Sequence, residues 1–242
     1  MMEDWQVRPD LIVSGMTTSA GGSFNVVKID GMGKVNGDLN CVSMDVNGTL
    51  KMQGGITGEQ VSINGMGTVE GTVECDSLRI DGMATIQGMV QCSELKVNGK
   101  GKFQGNVHGE RLSIDGSAVV EGDVECELFG SAGTINIQGL LNAGTVEIRL
   151  NGSSEVKEIG GEHIRISNPD HVRFWKQLGL GGVPRMKADV IEGDEVYLEN
   201  THADKVRGAR IYIGRGCKIR QVEYTETYEQ DPDASVGSSS QA

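Results

Sequence analysis

From Ile29 to Phe129 the apolar positions recur at a 17-residue period with almost no drift. Successive coils open at Ile29, Val46, Ile63, Ile80, Val97 and Ile114, each followed by Asn or Asp and then Gly. Self-similarity at a fixed period is the signature of a solenoid. Three further apolar columns accompany the first. One is Val35, Met52, Val69, Ile86, Phe103 and Val120; the next is Leu39, Ile56, Val73, Val90, Val107 and Val124; the last is Met44, Val61, Leu78, Leu95, Leu112 and Phe129. Glycine fills two more columns, Gly31, Gly48, Gly65, Gly82, Gly99 and Gly116, then Gly37, Gly54, Gly71, Gly88, Gly105 and Gly122.

These spacings predict strands. Leu78 and Ile80, or Leu95 and Val97, stand two apart, which in an extended chain puts both side chains on one face. Asn-Gly and Asp-Gly are turn chemistry, since Gly accepts positive φ and Asx side chains bond the nearby backbone. Three short strands and three turns per repeat make one coil of a parallel β-helix, each strand pairing with its equivalents above and below. A lone coil buries too little to fold, so stability belongs to the stack.

Outside the regular array the pattern loosens. Residues 1–10 read as a flexible N-terminus and 11–166 as β-helix. Within the helix, 11–28 form a degenerate first coil and two less regular coils follow Phe129, carried by Ile135, Ile137, Val146, Ile148, Val156, Ile164 and Ile166. Asn168-Pro169-Asp170 has the composition of a helix start, so 167–184 is expected to be a helical insertion and loop, with Phe174, Trp175 and Leu178 giving it an apolar face. Alternation returns over 185–224 as further β-solenoid, where Val196 and Leu198 are followed by Ile211 and Ile213 at a 15-residue interval. The remainder, 225–242, is acidic and then Ser-rich, and is expected to be a disordered tail.

Composition changes the picture in three ways. Glycine, at 36 residues, is periodic rather than low-complexity, which separates the chain from a disordered Gly-rich tract. The net charge of −12 is uneven: 1–170 carry 12 Lys or Arg against 23 Asp or Glu, whereas 171–222 carry 10 against 6. An acidic array disfavours nucleic acid, whose phosphates need a basic surface. Five cysteines, an odd number, agree with a reducing compartment. Met1–Asp10 is polar and acidic, no apolar run approaches the length of a membrane span, and the expected location is the cytoplasm.

Candidate chemistry is sparse. Cys41, Cys75, Cys92 and Cys126 share one repeat position whose parity points them inward, and Cys75 and Cys92 fall in adjacent coils about 4.8 Å apart; they read as small buried residues, with no further ligand converging to make a metal site. His108 sits in the array, but the steps between columns do not match the six-residue step of the acyltransferase β-helices that use a histidine base. Asp30, Asp81 and Asp115 alternate with Asn at one turn position, which argues for a turn role over calcium or polysaccharide chemistry. No phosphate-binding loop is present, and no cofactor is expected.

Function then rests on shape. A solenoid ends in open strand edges unless they are capped, and uncapped ends lead to end-to-end self-association. Leu11, Ile12 and Val13 at one end, and Ile211, Ile213 and Ile219 toward the other, are the candidate polymer contacts. The Val/Ile-x-Gly coils at 17-residue spacing, without enzyme motifs and with brief polar flanks, resemble the bactofilins, most clearly over Leu11 to Phe129. That resemblance implies an all-β, right-handed parallel β-helix that assembles without nucleotide into non-polar filaments and scaffolds client proteins at the membrane or cell pole, in cell shape, envelope or motility functions. Met1–Asp10 matches the family's apolar membrane-binding peptide poorly, so membrane association is expected through partners. The 168–224 extension is longer than the family's usual tail, and Phe174, Trp175 and Leu178 become the candidate partner-binding residues. A carbohydrate-binding or surface β-solenoid is the alternative, and a β-helix enzyme a more distant one.

Overall fold

The computed structural model describes residues 8–168 and 184–242. The chain divides into two compact units, Met1–His108 and Gly109–Ala242. Each is a stack of parallel strands, and the described residues contain no helix.

In the first unit short and long strands alternate. The short ones are β2 (Met16–Ser19), β4 (Met32–Val35), β6 (Thr49–Met52), β8 (Met66–Val69), β10 (Met83–Ile86) and β12 (Lys100–Phe103). The long ones are β3 (Gly22–Ile29), β5 (Leu39–Val46), β7 (Ile56–Ile63), β9 (Val73–Ile80) and β11 (Val90–Val97), and β1 (Leu11–Val13) opens the stack. Pairing follows the 17-residue period: Val90 lies opposite Val73, Leu95 opposite Leu78 and Val97 opposite Ile80. The ladder skips one residue, so that Cys92 pairs with Cys75 and Glu94 with Ser77 while Ser93 lies between. Ser93 and Glu94 both face outward, which breaks the alternation and makes a corner. Each coil therefore has three ladder segments, as the spacing predicts, but the second and third are one bent strand rather than two.

All four predicted columns are buried. A fifth, unforeseen, joins them at the second residue of the short strands: Gly33, Leu50, Gly67, Ala84 and Gly101. Most of its residues are small because their neighbours take the space. A Cβ on Gly101 would come within 2.7 Å of the Phe103 ring, and one on Gly33 within 3.1 Å of Ile29.

The glycine after each Asx has a different cause from the one expected. Positive φ among the described glycines occurs only at Gly21, Gly22, Gly37 and Gly216, none of them in the Asx-Gly column. Gly48, Gly65, Gly82 and Gly99 instead stack backbone on backbone, and a Cβ on each would overlap the carbonyl oxygen of the glycine one coil earlier. The close approach serves hydrogen bonding. The N–H groups of Asn64 and Gly65 both donate to the Val46 carbonyl, at 2.8 and 2.9 Å, and Met66 N–H donates to the Gly48 carbonyl at 2.9 Å.

The second unit comprises β13 (Val107–Ile114) from Gly109 on, β14 (Ser117–Val120), β15 (Val124–Ser131), β16 (Thr134–Arg149), β17 (Ser154–Ser167), β18 (Met186–Leu198), β19 (Thr201–Ile213), β20 (Lys218–Gln230) and β21 (Ser235–Gln241). Phe129 still pairs with Val146 at the regular period, whereas Val196 pairs with Ile211 and Leu198 with Ile213 at the shorter 15-residue step. From β16 onward the three segments fuse into single strands, and β18 and β19 are joined by a tight turn, Glu199-Asn200, with Asn200 at φ 45°. Residues 225–242 depart from the disordered tail that their composition predicts. β20 runs on to Gln230, an Asp231–Ala234 turn follows, and Ser235 to Gln241 pairs in parallel with Lys218 to Tyr224. Nearly all of β21 is exposed. Its pairing rests on backbone groups, which an open strand edge offers whatever the side chains are, and that is why apolar content failed to predict it.

The helix expected around Phe174 lies outside the described residues, apart from Asn168, whose backbone N–H donates to the Glu199 carboxylate at 3.0 Å.

Candidate functional site

The predicted polymer contacts separate into two kinds. β1 pairs with β3, Leu11 against Val27 and Val13 against Ile29, and β2 pairs with β4. Among the described residues neither has a strand on its other side, so their remaining N–H and C=O groups form an open edge. Val13 is buried and Leu11 half-buried, whereas Ile12 is 64% exposed and Met16 82%. Ile12 heads an outward column that continues as Lys28, Asp45, Ser62 and Arg79, so it is the apolar member of a polar row. Ile211, Ile213 and Ile219 are placed otherwise. All three are buried, and each has a strand on both sides: Ile211 lies between Val196 and Tyr228, Ile213 between Leu198 and Gln230, Ile219 between Ala203 and Val236. They hold coils together and present no free edge. Alternation located them correctly as apolar positions, but pairing, which decides whether a strand is an end, has no local signal. Phe174, Trp175 and Leu178 lie outside the described residues.

The turn carboxylates form an inter-coil ladder. Asn47 Nδ2 donates to Asp30 Oδ1 at 2.9 Å, Asn64 Nδ2 to Asn47 Oδ1 at 2.9 Å, and Asn98 Nδ2 to Asp81 Oδ1 at 2.5 Å. Amides between the acids keep carboxylates from stacking directly on one another. The Asn47 amide, aided by Lys28, holds the Asp30 carboxyl below its usual range; Arg79, at 2.7 Å, and then Asn98 do so for Asp81.

The cysteines are enclosed. Cys41, Cys75, Cys92, Cys126 and Cys217 are free and buried, and burial pushes the thiol pKa to about 11 for Cys41 and about 12 for Cys92. A thiol so disfavoured as thiolate is a poor nucleophile. His163 faces Glu195 at 3.1 Å on the surface. His202 is held below its ordinary value by burial, with Arg185 and Lys218 beside it. Among the described residues no three His, Cys, Asp or Glu side chains converge as a metal site, and no helix is long and apolar enough to cross a membrane.

In the second unit, outward columns are cross-linked coil to coil. Arg210 bridges Glu195 and Glu226, each at 2.6 Å, and Lys205 meets Glu223 at 2.7 Å. Tyr197 stacks on Tyr212 with centroids 5.0 Å apart, and Arg165 covers the Tyr197 ring at 4.3 Å. These rows reinforce register, because a slip of one coil replaces each attraction by a mismatch.

Comparison with known proteins agrees with this geometry. The family model for bactofilin, described as polymer-forming cytoskeletal, matches residues 4–91 and 67–142, together more than half of the chain. The uncharacterized protein YhbE of Bacillus subtilis (strain 168) is 56% identical over 230 residues, covering 95% of this chain and 96% of its own length. The uncharacterized protein YhbF of the same organism is 42% identical over 99 residues, 40% of each chain. No solved structure matches.

Proposed function

The chain belongs to the bactofilin family of polymer-forming cytoskeletal proteins, and on that premise we propose that its copies assemble end to end, without nucleotide, into cytoplasmic filaments that position other proteins. The observation that carries this reading is the edge at β1 and β2, where backbone with no second partner strand among the described residues coincides with the exposed side chains of Ile12 and Met16. An open, apolar strand edge is a template for another chain's strand. β21, the last strand of the second unit, is Ser-rich and exposed by contrast, so the apolar contact is assigned to β1.

The role is structural rather than enzymatic. Client binding is assigned to the 167–184 insertion with Phe174, Trp175 and Leu178, and membrane association to those clients. The cellular setting that fits is shape, envelope or appendage and motility work. Negative-stain microscopy of the nucleotide-free protein over a range of salt is the test. Filaments are expected, and Ile12→Asp is expected to shorten them with no change in the circular dichroism melt. Monodisperse monomers under every condition would overturn the polymer reading; unaltered filament lengths in Ile12→Asp would move the contact away from β1.

A further inference from the structure

On the first unit, the short strands present an outward face unlike the rest of this acidic chain. Their first residues form a register column in which Met32, Met66 and Met83 are each about half exposed, at 51, 52 and 50%. The parallel column two residues on carries Lys34 and Lys51, and Lys100 continues the methionine row. No Asp or Glu occurs within β2, β4, β6, β8, β10 or β12.

Lys34 and Lys51 lie directly opposite one another in register, about 4.8 Å apart along the stack. Like charges in that position are unfavourable, and neither ammonium has a carboxylate partner among the described residues. The other stacked cations of the unit, Arg79 and Lys96, are relieved by the Arg79–Asp81 pair at 2.7 Å. An exposed apolar row beside uncompensated cations is therefore a surface that lacks its counterpart.

The counterpart is present on the same unit. The first half and corner of the long strands expose Glu59, Glu74, Asp76 and Glu94, none of them in an ion pair among the described residues. No Lys or Arg occurs between Leu39 and Gln60, Val73 and Leu78, or Val90 and Leu95 apart from Lys51 in its own short strand. Both faces repeat at the spacing of the same coils. Two copies laid side by side are thus commensurate, and a cation met by an anion at one coil step has its neighbours met at the next.

We infer that the methionine and lysine face of the short strands docks laterally on the acidic face of the long strands of a second copy. Such a head-to-tail pair leaves one unlike face free on each copy, so further copies add side by side. It is independent of the end contact: loss of the end contact changes filament length, whereas loss of this one changes width.

The test is charge reversal in the full chain, read by electron microscopy for filament width and by sedimentation for lateral association. At about 50 mM salt the protein is expected to associate laterally, and at ~500 mM, where exposed charges are screened, to separate. The double variant Lys34→Glu with Lys51→Glu is expected to abolish lateral association at low salt, as is Glu74→Lys with Asp76→Lys. Combining the two pairs, or mixing the two double variants, is expected to restore it. A circular dichroism melt close to that of the parent shows that each variant folds. Lateral association that survives both reversals, or a failure of the combined variant to recover it, overturns the inference. A third arm uses vesicles of phosphatidylcholine containing about a quarter phosphatidylglycerol. Vesicle binding lost only in the lysine variant, with lateral association insensitive to the acidic-face variant, would assign the face to an anionic lipid surface instead and also overturn it.

Discussion

Gly65→Ala is the substitution that separates the two explanations for the Asx-Gly column. If glycine were needed only as an ordinary flexible turn residue, its replacement at a φ that is not positive would be tolerated. It would even stabilise by about 0.4–1 kcal/mol through the unfolded chain. The stacked geometry predicts the reverse. A Cβ on Gly65 overlaps the carbonyl oxygens of Gly48 and Asn47 and stands 2.8 Å from the Asn47 carbonyl carbon. These are backbone atoms held by their own ladder, so relief must come from spreading two coils. Overpacking of this kind costs about 1–3 kcal/mol. Spreading also strains the bonds from Asn64 and Gly65 to Val46 and from Met66 to Gly48, each worth roughly 1 kcal/mol. A loss of about 3 kcal/mol follows, read as a lower urea midpoint by far-ultraviolet circular dichroism at a concentration that keeps the protein dispersed. Gly15→Ala is the internal control, because a Cβ there meets nothing within 4 Å, and it should be neutral or slightly stabilising. A Gly65→Ala midpoint equal to that of Gly15→Ala would refute the close-approach account.

Two further outcomes follow from the side-chain columns. Asn47→Asp removes the amide that donates to Asp30 and places two carboxylates in register, so the melting temperature should fall at neutral pH; the deficit should shrink as the pH drops below about 4 and the carboxyls protonate. In the parent, Asp30 is held below its usual range, so its contribution is present above the unfolded pKa and is lost as pH falls through the folded value. The buried thiols, with Cys75, Cys92, Cys126 and Cys217 pushed up to about 12 by burial, should resist maleimide at pH 8 until denaturant is added. Because their folded values are raised, each should stabilise fully below about pH 8.5 and progressively less as pH rises toward the folded value; rapid native-state labelling would contradict their burial.

The regular array was legible because its causes are local. Period-2 pairs such as Leu95 and Val97 mark the strand, and faithful repetition at the 17-residue period imposes in-register pairing, so every predicted column is found buried. The sequence also identified the Asx-Gly turn, though not its reason, since the contact that requires glycine is with another coil and leaves no mark on the local backbone. The small fifth column at Gly33, Ala84 and Gly101 was invisible for the same reason: only the neighbouring Ile29 or Phe103 shows why it must be small. Tertiary pairing alone decided which apolar residues are ends. Ile12 and Ile211 read alike in the sequence, yet among the described residues one has a partner strand on a single side and the other on both. It likewise gave Ser235–Gln241 a ladder that its composition did not suggest. What repeats along the chain determined the coil; what one coil presents to the next was decided by the stack, because strand edges and stacked charges are properties of neighbours rather than of residues.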